Sequence, residues 1–309
     1  MNTIIKILQG CLLVSISVLI SCQSKHSKAY IENDVASQIT GDLKVIRGNL
    51  VRDNFRLYVV NVKSDDEKLI WLGQNINRMD GTGIVYTGTV VETELISKWF
   101  DFINVSSRAY NSRLDAVTRT EIEQGLLKNS WKCVISTNAL GMGIDKPDLR
   151  FIIHTQFPQS PVHYYQEIGR AGRDGLPTVI VLLYNPEDRD LPEAFIDSAK
   201  PSTVKYQRVI DVIQNELLGE KELMKRTNIN QTQIRVIRAD LIDQGIIREV
   251  YIGKSKKYEF VPNSKPFDPS FYDQIRVAKT NELKAMMEYA ETSQSRMLYL
   301  CEYLGDMVN

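Results

Sequence analysis

Two polar, glycine-containing segments constrain the fold of this chain more than any other feature of its sequence. The first covers residues 136–147 and directly follows a short apolar run at residues 131–135, and the second covers residues 166–175. The apolar run has the length of a buried strand. In open parallel sheets, ligands bind at the carboxyl ends of strands. This order therefore predicts an α/β domain with a binding edge immediately after the strand.

The second segment carries two arginines and a glutamine at helical spacing. Gln166, Arg170 and Arg173 are four and three residues apart, which predicts that they share one face of a helix. A planar guanidinium grips phosphate oxygens and keeps its charge, so the pair suits a triphosphate from a neighbouring domain. A solvated basic face is the alternative. The regularly spaced glycines within 169–175 favour the functional interpretation, because glycine is costly inside a helix.

The first segment offers hydroxyls and free backbone amides where the predicted strand ends. Ser136 and Thr137 can hold a DNA phosphate there, a contact that positions nucleic acid without reading its sequence. Asp145, beside Gly143 in the same loop, can accept a bond from a ribose hydroxyl. An ordinary strand-to-helix turn is the alternative. The two segments in this order favour a nucleic-acid motor.

From about residue 33 to residue 305 the chain resembles the second motor domain and following region of RecQ-type DNA helicases. The matching residues begin at 84–89, continue through 110–119, and include both segments described above. The family usually has histidine and glycine where this chain has Asn111 and Arg113.

The resemblance implies a role for each matched side chain. Arg173 would be the arginine finger at the phosphates of ATP, with Arg170 as its companion. Nucleotide contacts would come from Gln166, Asp145 and Gly143, and contacts to the DNA backbone from Thr87, Thr137 and Ser136.

A helicase of this type also needs a first motor domain, which supplies the phosphate-cradling loop and the Mg²⁺-binding carboxylates. Residues 253–255 partly match a phosphate loop, but Arg248 stands where its upstream glycine is required. Residues 65–67 are predicted to be a polar turn with a helix cap rather than the Mg²⁺ motif. We therefore expect ATP and Mg²⁺ to bind only if a first motor domain is supplied in cis or in trans.

The start of the chain points to a different compartment. Residues 1–22 have a polar head and a short apolar core, typical of a signal peptide, and they end in a lipoprotein-like cleavage box at Cys22. A buried core element is the alternative. Residues 23–54 resemble the tail of a first motor domain. The family implies the cytoplasm and the leader implies a lipid-anchored membrane protein, so localisation stays open.

The middle of the chain predicts two domains. Residues 55–190 alternate strands and helices, which is typical of a RecA-like parallel sheet. The expected strands are 83–87, 132–136, 151–155 and 179–184, and the expected helices are 91–102 and 116–128.

Residues 191–265 predict a linker and a mostly helical, winged-helix-like domain, which is a module for either DNA or protein contact. Three helices, at 204–217, 220–227 and 232–243, precede strands at 246–250 and 258–261. The recognition helix is expected to present Gln231, Gln233, Arg235 and Arg238, and the wing tip to present Lys254, Lys256 and Lys257 to phosphates.

Residues 266–309 resemble the start of the family's zinc-binding module, with one helix predicted over 286–306. Ser295 stands where the first cysteine ligand is expected, and neutral serine is a poor zinc ligand. The four cysteines contain no Cys-x-x-Cys pair, so we expect no zinc, and Cys301 is interpreted as an apolar packing residue.

Composition is that of a soluble globular chain, with 43% hydrophobic and 25% charged residues, which excludes wholesale disorder. Because the formal net charge is zero, affinity for nucleic acid must come from local patches. The resemblance to RecQ-type helicases implies the second half of an ATP-dependent 3′-to-5′ DNA helicase acting on single-stranded or forked DNA. By itself this half is expected to bind DNA weakly and to hydrolyse nothing. A non-enzymatic membrane lipoprotein and a DNA-binding regulatory protein are the alternatives.

Overall fold

A computed structural model describes residues 49–140, 144–199 and 201–306 of the chain. The predicted leader with Cys22, residues 23–48 of the predicted motor-domain tail, and Gly143 lie outside the described residues. Residues 49–191 together with 281–306 form one compact unit, and residues 192–280 form a second.

A parallel sheet forms the centre of the first unit. Within the described residues it has six strands, in the order β1–β6–β5–β2–β4–β3. The four strands predicted from the sequence are confirmed to within two residues, whereas the edge strands β1 and β3 were missed because charged residues interrupt their short apolar patterns. The strands are β1 (Phe55–Asn61), β2 (Thr82–Tyr86), β3 (Ser107–Tyr110), β4 (Cys133–Ser136), β5 (Leu149–His154) and β6 (Thr178–Tyr184).

Helices alternate with these strands, and polar side chains cap their first turns. Ser64 accepts a hydrogen bond from the amide of Glu67, so the predicted cap is confirmed, but residues 65–67 form the first turn of a helix rather than a separate polar turn. Thr89 and Glu92 form a capping box. The helices are α1 (Asp65–Asn75), α2 (Val90–Phe102), α3 (Ala116–Leu127) and α4 (Pro161–Ile168).

The core lies against the central strands. Every residue of β2 and β4 is buried, as expected for a parallel sheet covered on both faces. Phe100 from α2 packs with Ile135 and Phe151 in one apolar cluster. Burying each such side chain contributes about 1.5–3 kcal/mol. This rigid sheet fixes where each strand ends, and therefore where the loops of interest begin.

The second unit has a winged-helix-like order of elements. After α5 (Asp190–Ala199), three helices pack around an apolar core and an antiparallel hairpin follows. The elements are α6 (Thr203–Ile213), α7 (Glu220–Thr227), α8 (Gln231–Asp243), β7 (Ile247–Ile252) and β8 (Ser255–Phe260).

The predicted wing tip requires a correction. Ile252 pairs with Ser255, so the hairpin turn contains only Gly253 and Lys254, with Gly253 at φ +60°. A two-residue turn with glycine first matches the twist of the flanking strands. Lys256 and Lys257 therefore lie within β8 rather than at the tip.

The predicted single helix over 286–306 is wrong. The structure has two helices, α9 (Ser270–Glu291) and α10 (Arg296–Tyr303). Ser295 interrupts them, because its hydroxyl accepts a hydrogen bond from the Leu298 amide and caps α10. Cys301 is fully buried, as the packing interpretation requires.

Two features are absent from the described residues: a membrane-spanning helix and a cluster of metal-ligating side chains. No helix in these ranges is long and apolar enough to cross a membrane. The same ranges hold no cluster of three or more histidine, cysteine, aspartate or glutamate side chains suited to a metal ion.

Candidate functional site

Strand register brings the predicted DNA-contacting residues together at the carboxyl edge of the sheet. Tyr86 at the end of β2 lies opposite Ser136 on one side and His154 on the other. The amide of Thr87 donates to the carbonyl of Ser136 at 2.9 Å. Thr87, Ser136 and Thr137 therefore form one edge, as the order of segments in the sequence predicts.

The three hydroxyls at this edge differ in how accessible they are. Ser136 is fully buried, and its hydroxyl donates to the Thr137 carbonyl at 2.6 Å and accepts from the Leu140 amide at 3.2 Å. The Thr87 hydroxyl donates to a nearby backbone carbonyl and is also buried. Thr137 is partly exposed. A phosphate can therefore reach Thr137 directly, whereas contact with the Ser136 hydroxyl would require the loop to open.

The residues that depart from the family pattern lie at the same edge. Asn111 follows β3 and is buried, with its amide donating to the Thr93 hydroxyl at 3.0 Å. Its side-chain oxygen accepts from the amide of Arg113, whose side chain is exposed. Asn111 therefore holds its own loop, and Arg113 is the solvent-facing residue of the pair.

The predicted helix face carrying both arginines does not exist. Helix α4 ends at Ile168, so Gln166 is on the helix, whereas Arg170 and Arg173 follow it in a turn. Gly169 is the C-cap of the helix, and Gly172 has φ +55°, a left-handed conformation that suits glycine. We call residues 169–176 the arginine segment.

The arginine segment brings two predicted nucleotide-contacting residues together. Arg173 forms a 2.7 Å ion pair with Asp145, whose side chain is 82% exposed. An exposed pair of this kind contributes about 0–1 kcal/mol. The Arg173 guanidinium is therefore positioned but can exchange its carboxylate for a phosphate at little cost.

Arg170 points in a different direction. It lies close to the phenol of Tyr86, whose hydroxyl donates to the Leu140 carbonyl at 3.3 Å, and its Nε is buried without a partner among the described residues. Burial raises the pKa of Tyr86, Glu167 acts in the same direction, and Arg170 opposes the shift. Arg170 thus connects the arginine segment to the residue that directly precedes Thr87.

A buried histidine makes a second connection between α4 and the sheet edge. The His154 ring nitrogen Nε2 lies 2.8 Å from a carboxylate oxygen of Glu167. The ring also stacks on Tyr86, with 5.2 Å between centroids. The sequence did not single out His154 or Glu167, because their contact joins residues that no local motif relates.

Two residues ahead of β1 hold the arginine segment in place. Arg52 donates from Nη2 to the carbonyls of Ala171 and Gly172, at 3.3 and 3.0 Å. The Asn54 amide donates to the carbonyls of Gly172 and Leu176, at 2.8 and 3.0 Å. Sequence reasoning placed these residues in a remnant of another domain and missed this function.

Backbone hydrogen bonds place the arginine segment at the amino end of β5. The Gly172 amide donates to the Leu149 carbonyl, and the Asp174 amide donates to the Pro147 carbonyl. Thr87 and Thr137 lie at the opposite, carboxyl edge. Because β5 has six residues, the two regions are separated by about 17–20 Å of strand.

In the second unit, one carboxylate neutralises most of the predicted recognition surface. Glu220 accepts hydrogen bonds from Gln231 at 2.7 Å, from Arg235 at 3.2 Å and from Arg238 at 2.9 Å. These contacts lower the pKa of Glu220, and the hydrogen bond from Gln231 is the largest cause. The structure thus brings the three donors together, but their shared acceptor is the Glu220 carboxylate of the same chain.

Two predicted recognition residues are less available than expected. Gln233 is buried rather than presented, because it lies four residues before the core residue Ile237 on the same helix face. Arg238 also bonds the Tyr258 hydroxyl and lies over its ring, so its side chain is only 21% exposed. Arg235, with 59% of its side chain exposed, is the most accessible cation of α8.

The hairpin lysines also differ in whether a nearby carboxylate pairs with them. Lys256 pairs with Glu249 at 2.7 Å and Lys257 approaches Glu222 at 3.6 Å. Lys254 is exposed in the two-residue turn. Of the cations predicted to contact DNA in this unit, Lys254 is exposed in the turn, and Arg235 is exposed although it pairs with Glu220.

Part of the chain is similar to known proteins. Residues 67–175 match the helicase conserved C-terminal domain. Two relatives from Bacillus subtilis are a probable ATP-dependent DNA helicase RecS, 36% identical over 60% of this chain and 38% of that protein, and the ATP-dependent DNA helicase RecQ, 32% identical over 61% and 35%. A solved DEAD box protein from the hyperthermophile Methanococcus jannaschii is 23% identical over 57% of this chain and 47% of that chain, with a TM-score of 0.44.

The chain spans little more than a third of the length of these two Bacillus relatives. The matched region contains strands β2 to β5, the carboxyl edge and residues 169–175 of the arginine segment. Residues 67–175 are therefore similar to the helicase conserved C-terminal domain, and both Bacillus relatives are named as ATP-dependent DNA helicases.

Proposed function

We propose that this chain acts as the second motor half of an ATP-dependent DNA helicase that moves 3′ to 5′ along single-stranded or forked DNA. The observation that carries the proposal is the ion pair between Arg173 and Asp145 on a fixed segment. Arg173 acts as the arginine finger, and Arg170 assists it at the phosphates. Gln166 and Asp145 are nucleotide contacts, and Asp145 releases Arg173 when the triphosphate arrives.

The reaction is divided between two domains. ATP supplies the phosphoryl group that is transferred to water, and the first motor domain supplies the phosphate loop and the carboxylates that hold Mg²⁺. The guanidinium of Arg173 fits a phosphate by charge and by its planar fork. A first motor domain, in cis or in trans, is therefore the required partner, and this chain alone binds DNA weakly and hydrolyses no ATP.

DNA is held at the carboxyl edge of the sheet. Thr137 contacts a backbone phosphate through its hydroxyl, and Thr87 contributes from the neighbouring strand end. Such contacts position the strand and carry no sequence preference. Tyr86, which lies next to Thr87 and close to Arg170, is the contact through which DNA and nucleotide sites influence each other.

The decisive experiment supplies a first motor domain from a RecQ-type relative in trans and measures DNA-stimulated ATP hydrolysis. We expect Arg173→Ala to lower the rate roughly a thousandfold, the range typical of arginine fingers. Arg78→Ala removes an exposed arginine from the same unit and serves as the matched control, with no expected change. An unchanged rate in Arg173→Ala would refute the assignment of the finger.

The same assay on the chain alone tests the division of labour. No ATP turnover is expected without the first motor domain, with or without DNA. Turnover by the purified chain that Arg173→Ala abolishes would show that the phosphate loop and Mg²⁺ ligands lie in this chain after all, contrary to the proposal.

A second candidate function is DNA binding through the second unit alone. The exposed Arg235 and Lys254 favour it. In that case DNA affinity survives Arg170→Ala and falls with Arg235→Ala and Lys256→Ala, as measured by fluorescence anisotropy. Affinity that depends on Thr137 and is indifferent to Arg235 would assign DNA binding to the motor domain instead.

A further inference from the structure

Three hydrogen-bond donors of α8 converge on a single carboxylate in the second unit. Glu220 is the first residue of α7, and it receives Gln231, Arg235 and Arg238 at 2.7–3.2 Å. Its side chain is 22% exposed, so the cluster is open to solvent on one side. We call these four residues the Glu220 cluster.

The donors of this cluster have the chemistry of a phosphate site. Two guanidiniums and one amide present planar N–H groups that suit the oxygens of a phosphate as well as those of a carboxylate. The carboxylate reduces the charge that the cluster presents to DNA, because it cancels one of the two arginine charges.

We propose that Glu220 occupies a DNA-phosphate site formed by Gln231, Arg235 and Arg238, and that it competes with the DNA backbone for these donors. The inference deepens the proposed function and rests on its claim that this chain binds DNA. Glu220 thereby weakens DNA binding by the isolated second unit. A phosphate that displaces the carboxylate gains Arg235 first, since that side chain is the more exposed.

A purely structural function for Glu220 makes the opposite prediction. If the carboxylate holds Arg235 in the orientation that DNA needs, removing it lowers affinity. If it only ties α7 to α8, removing it lowers stability and leaves affinity unchanged. The two effects are separable, because Arg238 keeps its contact with Tyr258 when Glu220 is replaced.

The test measures binding of a fluorescent single-stranded oligonucleotide to the full chain over a range of salt concentrations. We expect Glu220→Gln, which keeps the shape and removes the charge, to tighten binding about fivefold to tenfold at low salt. One added phosphate contact steepens the slope of log affinity against log salt by about 0.7 for single-stranded DNA. Adding Arg235→Ala to Glu220→Gln should abolish the gain.

Glu216→Gln is the matched control. Glu216 pairs with Arg226 at 2.6 Å in the same unit, and Arg226 lies on α7 rather than on α8. It removes the same charge, so a general effect of net charge would tighten binding equally in both variants. A gain confined to Glu220→Gln supports the phosphate site, and equal gains overturn it.

Other outcomes are also decisive. Unchanged or weaker binding by Glu220→Gln and by Glu220→Ala, with cooperative thermal unfolding intact, overturns the proposal. Loss of cooperative unfolding in both variants assigns Glu220 to folding and overturns it as well. Salt-dependent binding that responds to neither Glu220 nor Arg235 leaves the proposed DNA function standing, whereas no binding by any variant at low salt refutes both.

Discussion

Arginines are held in opposite ways in the two units of the molecule. In the first, Arg173 lies in a non-helical segment whose carbonyls are bonded by Arg52 and Asn54, and its guanidinium remains in an exposed ion pair. In the second, Arg238 lies on a regular helix and its guanidinium is covered by Glu220 and Tyr258. Both guanidiniums pair with a carboxylate, but the pair in the first unit is exposed on a fixed backbone, whereas the pair in the second unit is largely covered on a regular helix.

This difference indicates what must change before the arginine of each unit can bind a ligand. A charge that is already accessible on a fixed backbone needs only a ligand, which suits a residue that must act in every catalytic cycle. A guanidinium that is covered as well as paired must first lose its carboxylate partner, which suits binding that depends on competition. The predictions below test the two halves of this comparison, starting with the fixed backbone.

The largest effect on folding is expected at Gly172. A side chain there would adopt φ +55° and its Cβ would lie 2.2 Å from the Thr178 hydroxyl and 2.5 Å from the Asn54 amide. The left-handed conformation costs about 1–2 kcal/mol, and crowding of a packed site adds about 1–3 kcal/mol. We expect Gly172→Ala to lower the free energy of unfolding by about 3 kcal/mol in urea denaturation.

Gly175 provides a matched control, because the two glycines share a backbone conformation and differ in their surroundings. Gly175 has φ +79°, and a Cβ added there would meet nothing within 4 Å. Gly175→Ala should therefore cost only the conformational part, about 1–2 kcal/mol. Equal losses in the two variants would show that the contacts around Gly172 do not fix the segment.

Sequence reasoning succeeded for several elements whose bounds are set by local signals. The helix from Glu220 to Thr227 was predicted to the residue, since a glycine precedes it and acidic residues fill its first turn. Strands β2, β4, β5 and β6 were recognised from apolar runs between polar loops. The parallel sheet and the carboxyl edge followed from that alternation.

The conformation of the arginine segment could not be predicted from the sequence in the same way. Helical spacing placed Arg170 and Arg173 on one face, but the segment lies outside the helix, and Asn54, 118 residues earlier, donates a hydrogen bond to its Gly172 carbonyl. The Glu220 cluster was missed for a related reason, because an acidic first turn suggests a helix dipole effect and not a partner on the next helix. Contacts between separate elements carry no periodic signal.

Asn54 is the next test of the fixed backbone. Its amide donates to two carbonyls, and Asn54→Ala leaves both without this donor, at a cost of about 1–3 kcal/mol. With a first motor domain supplied in trans, we also expect ATP turnover to fall while the affinity for single-stranded DNA stays unchanged, because only the arginine segment moves.

Asn75→Ala serves as the control for Asn54. The Asn75 amide donates to the Trp71 carbonyl within its own helix, so its loss disturbs no distant segment. The variant should keep full ATP turnover. If Asn54→Ala is as stable and as active as Asn75→Ala, the anchoring of the arginine segment by residues ahead of β1 is contradicted.

The smallest expected effect on stability concerns Asp148. It distinguishes this carboxylate, which stabilises the fold, from Glu220, which we propose competes with DNA phosphate. Asp148 accepts the Asn129 amide at 3.0 Å and pairs with Lys146 at 2.6 Å, which lowers its pKa to about 2, with the Asn129 bond as the largest cause. Because the folded-state pKa lies below the usual value near 4, this stabilisation is present above about pH 4 and is lost as pH falls towards 2.

Asn129→Gly tests this effect without straining the backbone, because Asn129 has φ +58° and glycine accepts that conformation. The variant should lose less stability than the wild type between pH 4 and pH 2, and the difference should stay below about 1 kcal/mol, since the Asp148 carboxylate is partly exposed. DNA affinity at neutral pH should not change.

Asp148 and Glu220 both accept hydrogen bonds from an amide and a cation, yet Lys146 is buried and Arg235 is exposed. A gain in DNA affinity on Asn129→Gly would therefore break the distinction between a carboxylate that holds the fold and one that competes with phosphate.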